Sequence, residues 1–127
     1  MSVFIPDDRR VLIVDDDRAI AEVISMRLAV HGLLTRVFHD GLGVLAQVRE
    51  FRPHAMVLDI NMPIVDGFAV MAQLGAERMA KLPTLVLTAR HQTGDVKRAV
   101  ALGAKDYLAK PFHDAQLLSR VARILRH

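Results

Sequence analysis

The sequence predicts a doubly wound α/β domain built around a parallel sheet. Five short apolar runs recur at fairly even intervals along the 127 residues, and the stretches between them space apolar residues as a helix does. Three of the five runs lack polar alternation, which is typical of strands buried on both faces of a parallel sheet. Strands that alternate with helices in this way place the helices on both faces, through right-handed crossovers.

The strands come first in each repeat. The predicted strands are residues 11–14, 34–38, 55–58, 84–87 and 107–109. The first, third and fourth of these are the continuously apolar ones, so we expect them to be buried on both faces of the sheet. The second run ends in His39-Asp40, which we interpret as a turn.

A helix is predicted after each strand. The first helix has an apolar face made of Ile20, Val23, Ile24 and Leu28. It should end at His31-Gly32, because glycine is favoured just past a helix end. The second helix follows the turn at Asp40-Gly41 and presents Leu42, Leu45 and Val48.

The remaining helices follow the same rule. The third follows the turn at Asp66-Gly67 and presents Phe68, Met71 and Leu74. The fourth stops before Gly103 and presents Val96, Val100 and Leu102. The fifth closes the chain with Leu117, Val121, Ile124 and Leu125. The order is therefore β-α repeated five times, with no internal repeat or linker.

The composition narrows the class of protein. Hydrophobic residues make up 52% and charged residues 24%, as in an ordinary globular domain. No apolar run approaches the roughly 20 residues that span a bilayer, and the absence of cysteine excludes disulfides and thiolate chemistry. We expect a cytoplasmic protein that does not act at a membrane. The net charge of +3 is scattered along the chain, so direct nucleic-acid binding is not expected.

Polar residues follow four of the five predicted strands. Directly after these strands come Asp15, Asp16 and Asp17, then Asp59, Thr88 and Lys110. In open α/β sheets, ligands bind beyond the carboxyl ends of the strands. Taken singly, an aspartate in this position caps the next helix, and Asp17 fits that role best. Together the residues indicate a functional site.

The chemistry of the site follows from its charges. Carboxylates that lie close together repel one another unless a cation is present, and Mg²⁺ prefers such oxygen ligands together with phosphate oxygens. This combination suits phosphoryl transfer, which depends largely on positioning and charge neutralisation. We expect Asp59 to act as the nucleophile and form an acyl phosphate, while Lys110 and Thr88 hold the phosphoryl oxygens.

The chain resembles the response-regulator receiver family of two-component signalling. The resemblance runs from about Arg10 to Leu125, through VLIVDDD, VLDINMPIVDGF, LPTLVLTA, LGAKDYLAKPF and a closing amphipathic helix. It implies one receiver domain over residues 1–127, with a core at about 10–125. It also implies a flavodoxin-like fold with five helices and strand order 2-1-3-4-5.

The resemblance also assigns roles to individual residues. Asp59 would be the phosphoacceptor, with Thr88 and Lys110 as the residues that bind the phosphoryl group. Mg²⁺, or Mn²⁺ as a substitute, would be held by Asp15, Asp16, Asp59 and the backbone carbonyl of Asn61. Thr88 and Tyr107 would form the switch, and the Lys110-Pro111 peptide would be cis. Asn61 and Arg90 would tune dephosphorylation.

The resemblance implies a signalling switch and not an enzyme that acts on a separate substrate. Its partners would be a histidine kinase or histidine phosphotransfer protein and an output domain or partner that the sequence does not identify. The main alternative is a phosphorylation-independent interaction module, although such modules usually lose one of the acids, the threonine or the lysine. A haloacid-dehalogenase-type phosphatase would need an acid where Asn61 stands, and a flavin binder would need a phosphate loop after the first strand.

Overall fold

The computed structural model describes residues 8–89 and 93–126, and in these residues five strands alternate with five helices. The strands are β1 (Arg10–Val14), β2 (Leu34–Phe38), β3 (Ala55–Asp59), β4 (Thr84–Thr88) and β5 (Asp106–Ala109). The helices are α1 (Arg18–Val30), α2 (Val44–Phe51), α3 (Gly67–Lys81), α4 (Thr93–Ala101) and α5 (Asp114–Leu125). Each predicted strand is therefore present, within one residue of its predicted ends.

The strands form one parallel sheet in the order β2-β1-β3-β4-β5. This confirms the flavodoxin-like, doubly wound architecture. The sheet separates two hydrophobic clusters, because successive strand residues point to opposite faces. Val11 and Ile13 pack with α1 and α5 on one face, whereas Leu12 and Val14 pack with α2, α3 and α4 on the other. Burial on both faces explains why the run VLIV has no polar alternation.

Two aspartates start the helices beside the carboxyl ends of the strands. Asp17 caps α1 by accepting a hydrogen bond from the backbone N–H of Ile20 at 3.1 Å, which confirms its predicted role. Asp66 caps α3 through the N–H of Ala69 at 2.9 Å. Each side chain satisfies a helix N–H that has no partner within its own helix. The caps thus fix where α1 and α3 begin relative to the residues that follow β1 and β3.

Three large apolar residues predicted on helix faces are exposed. Val23 is 46% exposed, Leu42 precedes α2 and is 62% exposed, and Val100 is 56% exposed. Alanines take the buried positions instead: Ala21 in α1 and Ala99 in α4 are almost fully buried. A small side chain lets a helix approach the sheet closely, so the buried stripe is not set by the largest residues alone.

Ile64 in the loop between β3 and α3 has an unfavourable conformation. Its φ is 67°, in the left-handed region, and its side chain is 96% exposed. Left-handed backbone costs roughly 1–2 kcal/mol for an L-residue, and β-branched residues adopt it least readily. Burial of the side chain does not compensate for this cost.

We expect Ile64→Asn to raise the free energy of unfolding by about 0.5–1 kcal/mol, because asparagine tolerates left-handed backbone. Urea unfolding measures the change. Val30→Asn is the matched control, since Val30 is 81% exposed but lies in the regular helix α1. A gain of the same size in Val30→Asn would show that lost apolar exposure, and not backbone strain, is the cause.

Candidate phosphoacceptor site

Three carboxylates meet at the carboxyl edge of the sheet. Asp15 and Asp16 follow β1, and Asp59 is the last residue of β3, the neighbouring strand. Each offers an oxygen, and these oxygens all lie within 4.8 Å of one another. Asp15 and Asp59 are buried, whereas Asp16 is exposed. The cluster therefore has two inner carboxylates and one that faces solvent.

Backbone N–H groups hold one oxygen of each buried carboxylate. The N–H of Asp17 donates to Asp15 Oδ1 at 3.0 Å, and the N–H of Asn61 donates to Asp59 Oδ1 at 2.9 Å. In each case the donor lies two residues after the acid, so the loop that follows the strand orients the carboxylate. The second oxygen of both carboxylates points toward Lys110.

Lys110 follows β5 and bridges the two buried carboxylates. Its ammonium Nζ lies 2.9 Å from Asp15 Oδ2 and 3.4 Å from Asp59 Oδ2. Its backbone N–H donates to the carbonyl of Thr88 at 2.8 Å, and the Lys110-Pro111 peptide is cis. Thr88 itself is buried at the end of β4, the strand between β3 and β5. One lysine thus stands between two carboxylates that would otherwise repel each other.

The electrostatics of the site favour a bound cation. Burial, and after it the negative charge of Asp15, together raise the pKa of the Asp59 carboxyl to about 6, against the opposing effects of the Asn61 N–H and Lys110. Burial alone would lower the pKa of Lys110, but the hydrogen bond to Asp15 and the charge of Asp59 outweigh it, so this pKa is raised. Asp59 therefore resists ionisation, while Lys110 is held firmly in its charged form.

A cavity of about 860 Å³ opens over the carboxylates. Asp16, Asp59 and Lys110 line it, together with Asn61 and Ala89. The donor set fits a divalent cation such as Mg²⁺, which prefers hard oxygen ligands from one or two carboxylates and keeps several waters. The volume also leaves room for a phosphoryl group beside Asp59.

Asn61 makes a contact that the sequence did not predict. Its side-chain Oδ1 accepts a hydrogen bond from the backbone N–H of Ala89 at 2.9 Å, which joins the loop after β3 to the residue after Thr88. Arg90, the second residue predicted to tune dephosphorylation, lies outside the described residues. The one feature of the sequence that pointed to Asn61 was its position two residues after Asp59, and this did not indicate a contact with Ala89.

Tyr107 lies apart from the carboxylates. It is in β5 and its side chain is 44% exposed. The Arg120 guanidinium of α5 lies 6.0 Å from the centre of its ring and donates a hydrogen bond to its backbone carbonyl. The structure therefore brings together Asp15, Asp16, Asp59 and Lys110, with Thr88 and Asn61 beside them, but leaves Tyr107 outside the cavity.

The chain shares its sequence pattern with a known protein family. The model of the family described as "Response regulator receiver domain" matches residues 11–122 of the chain. The chain belongs to this family. The receiver domain is the domain that response regulators of two-component systems share, so the family expected from the sequence motifs is confirmed.

Similar proteins agree with the family. Response regulator MprA of Mycobacterium ulcerans (strain Agy99) is 42% identical over 117 residues, which cover 92% of this receiver domain and 50% of that protein. Response regulator MprA of Mycobacterium avium (strain 104) is also 42% identical, with 51% of its length covered. The chain therefore spans about half the length of the curated relatives it matches.

Solved structures show the same fold. Chemotaxis protein CheY4 of Vibrio cholerae is 30% identical, with a TM-score of 0.84, and the match covers 92% of this receiver domain and 98% of that chain. The receiver domain of Francisella response regulator 1452 is 29% identical, with a TM-score of 0.84, and the match covers 94% and 98%. Among the residues described here, no helix of this receiver domain is long and apolar enough to cross a membrane.

Proposed function

We propose that this receiver domain accepts a phosphoryl group on Asp59 from a phosphohistidine and changes its contacts with an output partner in response. The observation that carries the proposal is the position of Asp59. This carboxylate is buried at the mouth of a cavity, with a lysine ammonium 3.4 Å away and two further carboxylates beside it. A capping or structural aspartate needs neither neighbour.

The proposed reaction is a displacement at phosphorus. An oxygen of the Asp59 carboxylate forms a bond to phosphorus, and the bond from phosphorus to the histidine nitrogen breaks. The nitrogen keeps the electron pair and takes up a proton, while Asp59 becomes an acyl phosphate. The N–H of Asn61 orients the Asp59 carboxylate at 2.9 Å, so that this group is in place before the donor arrives.

The other residues stabilise the negative charge that gathers at the site. Lys110 exchanges its contact with Asp59 for a phosphoryl oxygen, and the Thr88 hydroxyl binds a second oxygen. Mg²⁺, or Mn²⁺ in its place, would supply the remaining positive charge from a position held by Asp15, Asp16, Asp59 and the backbone carbonyl of Asn61. Lys110 moderates the repulsion between the acids when no divalent cation is bound.

The output is proposed to be a shift between two arrangements of the same fold. The phosphoryl charge draws Thr88 toward it, and the half-exposed Tyr107 ring moves inward into the space that Thr88 leaves. The surface of α4, β5 and α5 then changes its preference for an output domain or partner protein. Asn61 and Arg90 would set how fast water removes the phosphoryl group.

The partners and the setting belong to the same proposal. A histidine kinase or a histidine phosphotransfer protein supplies the phosphoryl group, and the protein catalyses only its own phosphorylation and dephosphorylation. A cytoplasmic location suits a chain without cysteine, because thiols and disulfides play no part in its stability.

We expect acetyl phosphate with Mg²⁺ to add the mass of one phosphoryl group to the intact protein, because a small donor needs no docking surface. Intact-mass spectrometry measures the adduct, and beryllofluoride should compete with it as a mimic of the phosphoryl group. EDTA should abolish the modification, because the carboxylates then lack the cation that offsets their charge.

The control is the same reaction in EDTA to which Mg²⁺ is added in excess over the chelator, and this addition should restore the adduct. Modification that is indifferent to EDTA would contradict the metal requirement. No adduct under any of these conditions would contradict phosphoryl transfer and favour the interaction module that works without phosphorylation.

A further inference from the structure

A cleft lined by basic residues lies at the amino-terminal edge of the sheet, opposite Asp59. It has a volume of about 340 Å³, and four cationic side chains from β1, the C-terminal cap of α2 and α3 line it: Arg10, Arg52, Arg78 and Lys81. We call it the basic cleft. No aspartate or glutamate is among the described residues that line it, and its apolar lining includes Val48 and Leu82.

Arg10 is held rigidly with part of its guanidinium unused. Its Nε donates to the backbone carbonyls of Phe51 and Arg52, at 3.0 and 2.9 Å. These carbonyls lie at the end of α2, where the helix dipole is negative. Within the described residues, Nη1 and Nη2 of Arg10 make no hydrogen bond. Neutralising the helix end thus occupies one of the three guanidinium nitrogens and leaves two for another acceptor.

Arg52 occupies a position that does not favour arginine. It caps the end of α2 with φ at 53°, in the left-handed region where glycine is the usual residue. Its side chain is exposed and makes no hydrogen bond or ion pair with the described residues. Helix capping alone would be served better by glycine, so capping does not explain the arginine.

Two basic residues from the last turn of α3 complete the cleft. Arg78 Nη1 donates to the carbonyl of Leu74 at 3.1 Å, where Gly75 interrupts the helix, and this contact leaves Nη2 unpaired among the described residues. Among the described residues, Lys81 has one acidic neighbour, Glu77, whose Oε1 lies 3.8 Å from the Lys81 ammonium. Both of these side chains are more than three-quarters exposed, so the pair contributes little.

The adjacent histidine is consistent with a positive potential here. His54 precedes β3, and its Nδ1 accepts a hydrogen bond from the backbone N–H of Arg10 at 2.9 Å. Burial and then the charges of Arg10 and Arg9 lower the pKa of His54. The ring therefore stays neutral, and the positive charge of the cleft comes from its arginines and lysine.

We propose that the basic cleft binds the oligophosphate group of a small molecule. Four cations with no carboxylate among the described lining residues suit a ligand with several negative charges, and guanidinium forks match phosphate oxygens in pairs. The volume suits a small ligand, since such sites usually enclose about 300–1,000 Å³. The site is separate from Asp59 and does not depend on phosphoryl transfer there.

Titration with sodium tripolyphosphate tests the site. The experiment uses the intact protein in EDTA at fixed ionic strength, followed by ¹H–¹⁵N NMR. The expected shifts are at Arg10, Arg52, Arg78 and Leu82, and the amides of Asp59 and Lys110 should not move. Arg52→Gly should weaken binding about tenfold, as expected for the loss of one charge-assisted contact, although it should stabilise the fold by relieving the left-handed arginine. Arg78→Gln should weaken binding to a similar extent.

The matched control is Arg18→Gln, which removes the same charge at the start of α1, at the opposite edge of the sheet. It should bind tripolyphosphate as the wild type does. Equal weakening in this control, or unchanged binding in Arg52→Gly, would overturn the proposal. Displacement by sulfate at the same ionic strength would indicate an adventitious ion only. Binding of a DNA duplex but not of tripolyphosphate through these residues would assign the cleft to a different ligand.

Discussion

Asp59→Asn is expected to form no phosphoryl adduct and, in metal-free buffer well above pH 6, to be about 2–3 kcal/mol more stable than the wild type. The adduct is lost because the amide is not a nucleophile, and within the described part of the chain no other carboxylate lies beside both Lys110 and the Asn61 N–H. The gain in stability comes from burial, because Asp59 is only 3% exposed and an asparagine there buries no charge.

The pH dependence follows from the two states of Asp59. The folded protein keeps a proton on this carboxyl up to a pKa of about 6, whereas the ordinary pKa is 3.8. Between these values the folded state binds more protons than the unfolded chain, so the stability of the wild type falls as the pH rises. The loss is complete above the folded-state pKa, and a shift of about two units corresponds to about 3 kcal/mol.

Urea unfolding in EDTA at several pH values measures the effect, and intact-mass analysis measures the adduct. The stability difference should be largest above pH 6 and nearly lost at pH 3.8, because the folded wild type then carries a proton on this carboxyl. Lys110 keeps a partner in the variant, since Asp15 remains 2.9 Å from its ammonium.

Asp40→Asn is the matched control, because Asp40 is an exposed loop residue at the same edge of the sheet. The free energy of unfolding of Asp40→Asn should differ from that of the wild type by less than about 0.5 kcal/mol. A gain in Asp59→Asn that persists unchanged at pH 3.8 would show that charge burial is not its cause. An adduct that survives the substitution would refute Asp59 as the phosphoacceptor.

The sequence predicted the fold and the edge at which the site lies, because both depend on simple periodicity. The continuously apolar runs VLIV, AMVL and TLVL are β1, β3 and β4, the three central strands. Residues that follow parallel strands must reach the same edge, so the meeting of Asp15, Asp59 and Lys110 was predictable without side-chain coordinates.

Features that depend on close packing or on side-chain orientation were not predictable in this way. Val23 was assigned to the buried face of α1, but Ala21 takes that position, because the distance between helix and sheet decides which residue is covered. The contact between Asn61 and Ala89 depends on a rotamer and on the course of two loops. The exposure of Tyr107 likewise depends on how α5 and Arg120 pack beside β5.

Gly67 shows how packing turns an apparent turn signal into a constraint on the site. The Asp66-Gly67 pair was interpreted as a turn before the third helix. In the structure, Gly67 is the first residue of α3 and lies against the backbone that follows β3. A Cβ at this position would lie 2.6 Å from the Ile60 Cα and 2.8 Å from the Asp59 carbonyl oxygen. These are backbone atoms of the proposed phosphoacceptor segment, so they have little freedom to move.

Gly67→Ala is therefore expected to lower the free energy of unfolding by about 3 kcal/mol or more, at the upper end of the cost of overpacking. Urea unfolding measures the loss. Gly94→Ala is the matched control, because Gly94 lies in α4 and an added Cβ there meets no atom of the described residues within 4 Å. Because Gly94 lies in the first turn of α4, this control should gain no more than the roughly 0.5–1 kcal/mol that alanine gains over glycine in a helix interior.

The Gly67→Ala variant also separates stability from chemistry. The added methyl group can be accommodated only if α3 and the Asp59-Ile60 backbone move apart, and such a movement changes the hydrogen bond from Asn61 that orients the Asp59 carboxylate. We therefore expect phosphorylation by acetyl phosphate to slow even under conditions where circular dichroism shows the variant fully folded. Wild-type rates in the folded variant would mean that the start of α3 does not position Asp59.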